Sequence, residues 1–243
     1  MTATTSSEPL GDDFGRQSVT LVRDTLTAAA DALGDLDRRA GDGDFGTNVR
    51  TAMKLLDANI DAEGPGTYRE WFTALYMAWL GVGGTSGPLF GMFFRDLAKA
   101  GADGGTGDGA DRGTGDSGAD GLTPTLAQFA EALAAGQATV QKYGEAKVGD
   151  KTMVDALDPA VGALREAVQA GKSPAEALAA AEQAGLEGVR STAETTARRG
   201  RASYVGDASK GVIDPGAAAM VLVIGAARAA AAGESSVDIS WIR

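Results

Sequence analysis

Leu36-Asp37-Arg38-Arg39-Ala40-Gly41-Asp42-Gly43-Asp44-Phe45-Gly46-Thr47-Asn48 is the stretch from which the rest of the chain is read. Asp37, Asp42 and Asp44 lie five and two positions apart, and neither spacing stacks side chains on one helical face. They converge only if the chain curls, a freedom that Gly41, Gly43 and Gly46 supply. Gathered carboxylates repel one another and would be partly protonated without a cation between them. A hard divalent ion suits them: Mg²⁺ takes a few carboxylates together with water and substrate phosphates, whereas Ca²⁺ wants more protein oxygens in a fixed order. The EF-hand order is absent, with no Glu at its closing position. An ordinary acidic glycine turn is the competing reading of so short a pattern.

Working outward, Phe14, Ser18, Leu21, Val22, Thr25, Leu26 and Ala29 recur at helical spacing, which predicts a helix from Leu10 to near Gly34. Asn48 to Ala58 predicts a second. The aspartate stretch therefore joins two helices, and Gly46, Thr47 and Asn48 offer backbone N–H groups at a helix start, an end that attracts anions. A third helix is predicted over Tyr68–Trp79 and a fourth over Leu89–Leu97, with Gly83, Gly84, Thr85, Ser86 and Gly87 between them. That loop reads either as a second anion cradle of bare amides and two hydroxyls or as close helix packing at glycines. It lacks the P-loop lysine.

Further on, helix signals resume at Thr125–Tyr143, and Gly149-Asp150 precedes an amphipathic helix. Asp150 reads as its N-cap, or else the helix start faces a nucleotide. Ser173, Pro174 and Glu176 form a capping box, and another helix is expected from Gly188. Arg198, Arg199 and Arg201 make a basic island that reads either as one in which Arg201 clamps a phosphate or carboxylate bidentately or as helix C-terminal cations complementing the dipole. Asp214-Pro215-Gly216 leads into a last buried helix, Ala217–Ala232, and Val237–Ile242 reads as extended. Met1 to about Pro9 reads as disordered, and 101–122, nearly all Gly, Asp, Ala and Thr, as a flexible insertion within a single domain.

Composition narrows the function. The chain has 243 residues, 44% hydrophobic, with net charge −11, no cysteine and no histidine. An acidic surface disfavours nucleic acid and anionic membranes, and the missing histidine removes the commonest general base and zinc ligand. No signal peptide is visible, and the most apolar run, Ala217–Ala227, reads as too short to span a bilayer. The expectation is a cytoplasmic all-α protein of about eight helices.

Taken in order, Leu36-Asp37 through Asn48, Gly83 through Leu89, Gly149-Asp150-Lys151-Thr152-Met153 through Pro159, Gly200 through Tyr204, and Asp214 through Ala217 resemble the L subunit of dihydroxyacetone kinase. The resemblance implies an antiparallel eight-helix barrel with ADP or ATP at its loop-bearing end. It also implies that Asp37, Asp42 and Asp44 hold two Mg²⁺ ions. Gly46–Asn48, Gly84, Thr85 and Ser86 would meet phosphates or ribose, as would Phe45 by position. Gly149, Thr152 and Met153 would frame the base, Arg201 would face the phosphates, and Asp214, Pro215 and Gly216 would line the same pocket. In that family the ketose sits on a histidine of a separate K subunit. A K-type partner is therefore expected, with a phosphotransferase-system protein as a possible phosphoryl donor and an oligomer of unspecified size. The sequence departs from the family pattern at Phe45 and Val212, where histidine is usual. A nucleotide-binding sensor without transfer, or a kinase component for another ketose, are the alternatives.

Overall fold

The computed structural model describes residues 9–101 and 123–242. Among them are eight α-helices: α1 (Phe14–Ala40), α2 (Phe45–Glu63), α3 (Tyr68–Leu80), α4 (Ser86–Leu97), α5 (Leu126–Gly144), α6 (Met153–Gln169), α7 (Pro174–Ser191) and α8 (Pro215–Ala232). Two 3₁₀ segments, Thr192–Glu194 and Arg201–Ser209, lie between α7 and α8. No strand occurs among the described residues, so the all-α expectation holds. The readings of residues 1–8 and 102–122 fall outside what the structure describes. Pro9, grouped with the disordered terminus, is instead anchored: it bridges to Thr125, and the Leu10 N–H donates to Pro124 O at 2.9 Å.

Each helix packs on its successor and α8 returns to pack on α1, which closes the helices into a ring. The sequence explains most of the ends. Thr67, Thr125, Thr152 and Ser173 each close a capping box, and Asp214 accepts the Ala217 N–H at 2.7 Å. The expected cap at Asp150 is corrected to Thr152. The Asp150 carboxylate accepts the Lys147 N–H instead, at 3.0 Å.

Two glycines read as punctuation are packing residues. α1 runs past Gly34 because Leu33, Leu36 and Ala40 continue its buried stripe. At Gly34 the helix makes room for α2: a Cβ on Gly46 would stand 2.5 Å from Ala30 O and 2.9 Å from Gly34 Cα. Gly188 starts no helix either, since α7 continues through it. It presses on Asp155 O, the carbonyl that Pro159 in α6 leaves without an N–H donor.

α8 is buried almost all round, and its alanines let α1, α6 and α7 approach closely. By length and composition its 18 residues could cross a membrane, contrary to the shorter apolar run read from sequence. In this fold 78% of that helix is buried, as befits a core helix. Val237–Ile242 forms no strand. It turns at Ser240, and Ile242 enters the core.

Candidate functional site

A pocket of about 320 Å³ opens at one end of the ring. Its wall alternates along the chain: the end of α1 (Asp37, Ala40), the start of α2 (Asp44, Phe45, Asn48), the turn after α3 (Gly83, Gly84), and the start of α4 (Ser86, Leu89). The pattern repeats with the end of α5 (Val140, Gly144), the start of α6 (Thr152, Met153), the segment after α7 (Arg199–Ala202) and the start of α8 (Pro215, Gly216). Odd helices finish here and even ones begin, so consecutive helices run antiparallel and every loop of this end meets in one cavity. Four helix N-termini thus direct their positive ends at it. Those of α2 and α4 have no cap hydrogen bond from the N-cap side chain; the first amide of α2, that of Phe45, is taken by the Asp37 carboxylate, whereas the start of α4 is left open to an anion.

Asp37, Asp42 and Asp44 all line this pocket, but Asp37 is not in a loop. It occupies the last turn of α1, and the curl is made by Gly41 to Asp44. Its Oδ2 accepts the Phe45 N–H at 2.9 Å. Burial, together with the neighbouring Asp42, pushes the Asp37 carboxyl above its usual range. Arg201 reaches in from the 3₁₀ segment and pairs with Asp42, Nη1 to Oδ2 2.7 Å. Among the described residues no three acidic side chains stand in metal-coordinating geometry. The donor set nevertheless suits a hard cation. Only carboxylate oxygens gather at this corner, two of them close enough to raise a pKa, and a guanidinium occupies one.

Other expected residues divide clearly. Thr85 and Ser86 line the pocket, and Asn48 Nδ2 donates to Ser86 Oγ at 3.3 Å, tying the starts of α2 and α4 together. Thr152, Met153, Asp214, Pro215, Gly216 and Gly84 line it as well. Gly46, Thr47 and Gly149 do not. Gly46 is held by packing against α1, Thr47 faces solvent, and Gly149 takes a positive φ of 89° while its N–H donates to Asp155 Oδ1 at 2.5 Å.

Phe45 turns its ring away from polar work. It packs against Phe90, centroids 5.8 Å apart, and Phe90 stacks on Trp79 at 4.3 Å. Val212 meets the site through its backbone, its carbonyl accepting Lys151 Nζ at 2.6 Å. Burial raises Asp214 from 3.8 to about 7, against the opposing pull of the Ala217 N–H. Sequence reasoning missed Lys151 as a pocket residue; the only signal was a lysine between two motif residues. Arg199 and the apolar wall of Leu89, Phe90 and Val140 were missed too.

Several known proteins are similar to this chain. The DAK2 domain matches residues 39–229. The chain is 32% identical over 192 residues to the ADP-binding subunit DhaL of PEP-dependent dihydroxyacetone kinase 1 from Listeria innocua, covering 79% of this chain and 82% of that one. It is 32% identical over 202 residues to the corresponding Escherichia coli subunit, covering 83% and 88%. Among solved structures, the dihydroxyacetone kinase of C. freundii in complex with AMP-PNP and Mg²⁺ superposes with a TM-score of 0.63 at 25% identity. That match covers 93% of this chain but only 35% of the longer kinase.

Proposed function

The chain belongs to the DAK2 domain family, and on that premise we propose that its pocket binds an adenine nucleotide with Mg²⁺. In this reading it is the phosphoryl-transferring subunit of a short-ketose kinase whose ketose is held by a separate K-type subunit. The observation that carries the reading is the convergence of Asp37, Asp42, Asp44, Arg201 and four helix N-termini on one cavity. The relatives support it: two are named ADP-binding subunits, and one solved neighbour is a complex with AMP-PNP and Mg²⁺.

Phosphoryl transfer asks a protein for alignment and charge neutralisation, with little covalent work. Asp37, Asp42 and Asp44 would hold the Mg²⁺, two ions by family resemblance, which when bound neutralises phosphate charge and orients the transferred group. The uncapped start of α4, with Thr85 and Ser86, cradles phosphate oxygens. Met153, Leu89 and Val140 supply an apolar wall for the base. Arg201, which reaches into the pocket beside Asp42, would neutralise charge that grows during transfer. Asp214 caps α8, so its carboxylate fixes that wall instead of reaching substrate.

Histidine is absent, so the ketose cannot be held on a histidine of this chain. Relatives are named for dihydroxyacetone, for L-erythrulose and for 3,4-dihydroxy-2-butanone, which points to a short ketose selected outside this pocket. The test is turnover: the purified chain is mixed with a K-type subunit, ketose, ATP and Mg²⁺, and ketose phosphate is measured. Formation that needs both chains supports the reading. Nucleotide binding without turnover, across K-type subunits for several short ketoses, would leave a sensor in its place.

A further inference from the structure

Lys151 takes no part in the chemistry above, yet its backbone and its side chain are both held in place. It adopts a left-handed φ of 63° that a glycine would hold without strain, and its side chain is only 1% exposed. Strain kept at a non-glycine residue needs something that over-determines it. Here that is a cage of backbone carbonyls. Nζ donates to Thr192 O at 2.6 Å, Val212 O at 2.6 Å and Ser209 O at 2.8 Å, with Thr195 O at 3.3 Å. An ammonium has three N–H donors and no acceptor, and carbonyls only accept, so the three short bonds use every donor. A neutral amine would turn its lone pair on one of these oxygens.

The positions of those carbonyls give the cage its meaning. Thr192 and Thr195 lie at the first root of the segment between α7 and α8, and Ser209 and Val212 lie at the second. One ammonium thus staples both roots. Asp150 holds the crest: its carbonyl accepts the Arg198 N–H at 3.0 Å, and its carboxylate stands 3.8 and 3.7 Å from the guanidinium groups of Arg198 and Arg199. Arg201 follows directly, already turned into the pocket against Asp42.

We propose that Lys151, with Asp150, is the positioning device that sets Arg201 in the pocket by clamping the segment 192–212 at both roots and at its crest. The effect on turnover rests on the nucleotide reading above; the clamp itself does not. A phosphate-facing guanidinium displaced by about 1 Å loses on the order of 100-fold in rate.

The experiment is Lys151→Met in the full chain, with hydrogen exchange of the 192–212 amides and tryptic cleavage after Arg201 as readouts that need no nucleotide. Both should rise about tenfold or more, while α1 to α5 keep their protection. With a K-type subunit, kcat should fall roughly 100-fold with KM for nucleotide within about threefold. In an Arg201→Met background the same substitution should cost less than about threefold. Unchanged exchange in 192–212, or losses that simply multiply in the double variant, would overturn the proposal. Loosening of the segment in a protein whose wild type shows no turnover would support the clamp and remove the kinase reading. Should Lys151→Met not fold, Asp150→Asn decides: faster exchange at 196–202 supports the device, and unchanged exchange there overturns it.

Discussion

Arg201 spans the pocket mouth to Asp42, Nη1 to Oδ2 2.7 Å, and so joins the segment after α7 to the curl after α1. Both side chains are substantially exposed, 63% and 30%, so the pair adds little stability, about 0 to 1 kcal/mol. Its importance is placement. Arg201→Met should therefore leave the melting temperature within about 3 °C, since 1 kcal/mol moves a chain of this size by roughly 2 to 4 °C. Turnover with a K-type subunit should fall by about 100-fold or more, as for loss of a charge-stabilising donor. A large melting shift with unchanged turnover would mean that the pair is structural.

Phe45 stands where the resemblance leads one to expect histidine, and its ring is buried against Phe90 while its backbone N–H serves Asp37. Phe45→His keeps that N–H and puts a polar ring into apolar packing. It should destabilise by about 1 to 3 kcal/mol, measured by urea unfolding, because a buried polar group without a partner costs that much. Nucleotide affinity should change by less than about threefold, a factor worth roughly 0.6 kcal/mol. A tenfold or larger gain in affinity would show that the missing imidazole mattered.

At Gly46 the glycine serves packing. A Cβ there would stand 2.5 Å from Ala30 O, a backbone atom that can yield only by separating α1 from α2. Gly46→Ala should cost about 2 kcal/mol or more by overpacking, seen as a lowered melting temperature. An unchanged melting temperature would contradict this packing role.

How legible was all this in the sequence? Helix existence was, because α1 and α5 to α7 carry clear stripes and Ser173 with Glu176 makes a capping box that follows from residue type, whereas the boxes at Thr125 and Thr152 went unread and the α6 cap was placed at Asp150. The carboxylates, Thr85-Ser86 and Arg201 were legible from residue type and spacing and Asp214 through family resemblance, and they do share one pocket. Glycine was the recurrent source of error. Gly34, Gly46 and Gly188 look like stops or ligand-approach residues in sequence, whereas each is a place where two helices touch. Such contacts depend on which helices become neighbours, and local pattern does not carry that. The role of Lys151 was hidden for the same reason, since its partners are backbone carbonyls 41 to 61 positions away.

Asp214 gives the fold a pH dependence of definite sign. Its folded pKa, about 7, lies above the ordinary 3.8, so between these values the unfolded chain binds fewer protons. The stability contributed by protonated Asp214 is full below about pH 4 and is lost as pH rises through 7. From pH 5 to 8 the wild type should lose more unfolding free energy than Asp214→Asn, by up to a few kcal/mol, since each pKa unit is worth about 1.4 kcal/mol. Asn still caps α8. Urea midpoints across this range test it, and identical slopes for the two proteins would contradict it.

The most direct measurement of the central claim is calorimetric titration of ADP into the chain, in excess Mg²⁺ and in EDTA, for the wild type and Asp42→Ala. If the aspartate corner holds the cation that binds the phosphates, the wild type binds in Mg²⁺ and loses about 100-fold or more in EDTA, and Asp42→Ala matches the EDTA result in either buffer, a difference of roughly 2.7 kcal/mol. Equal affinity in all four titrations would contradict the account, because the nucleotide would then be held without the carboxylates around which the chain is built.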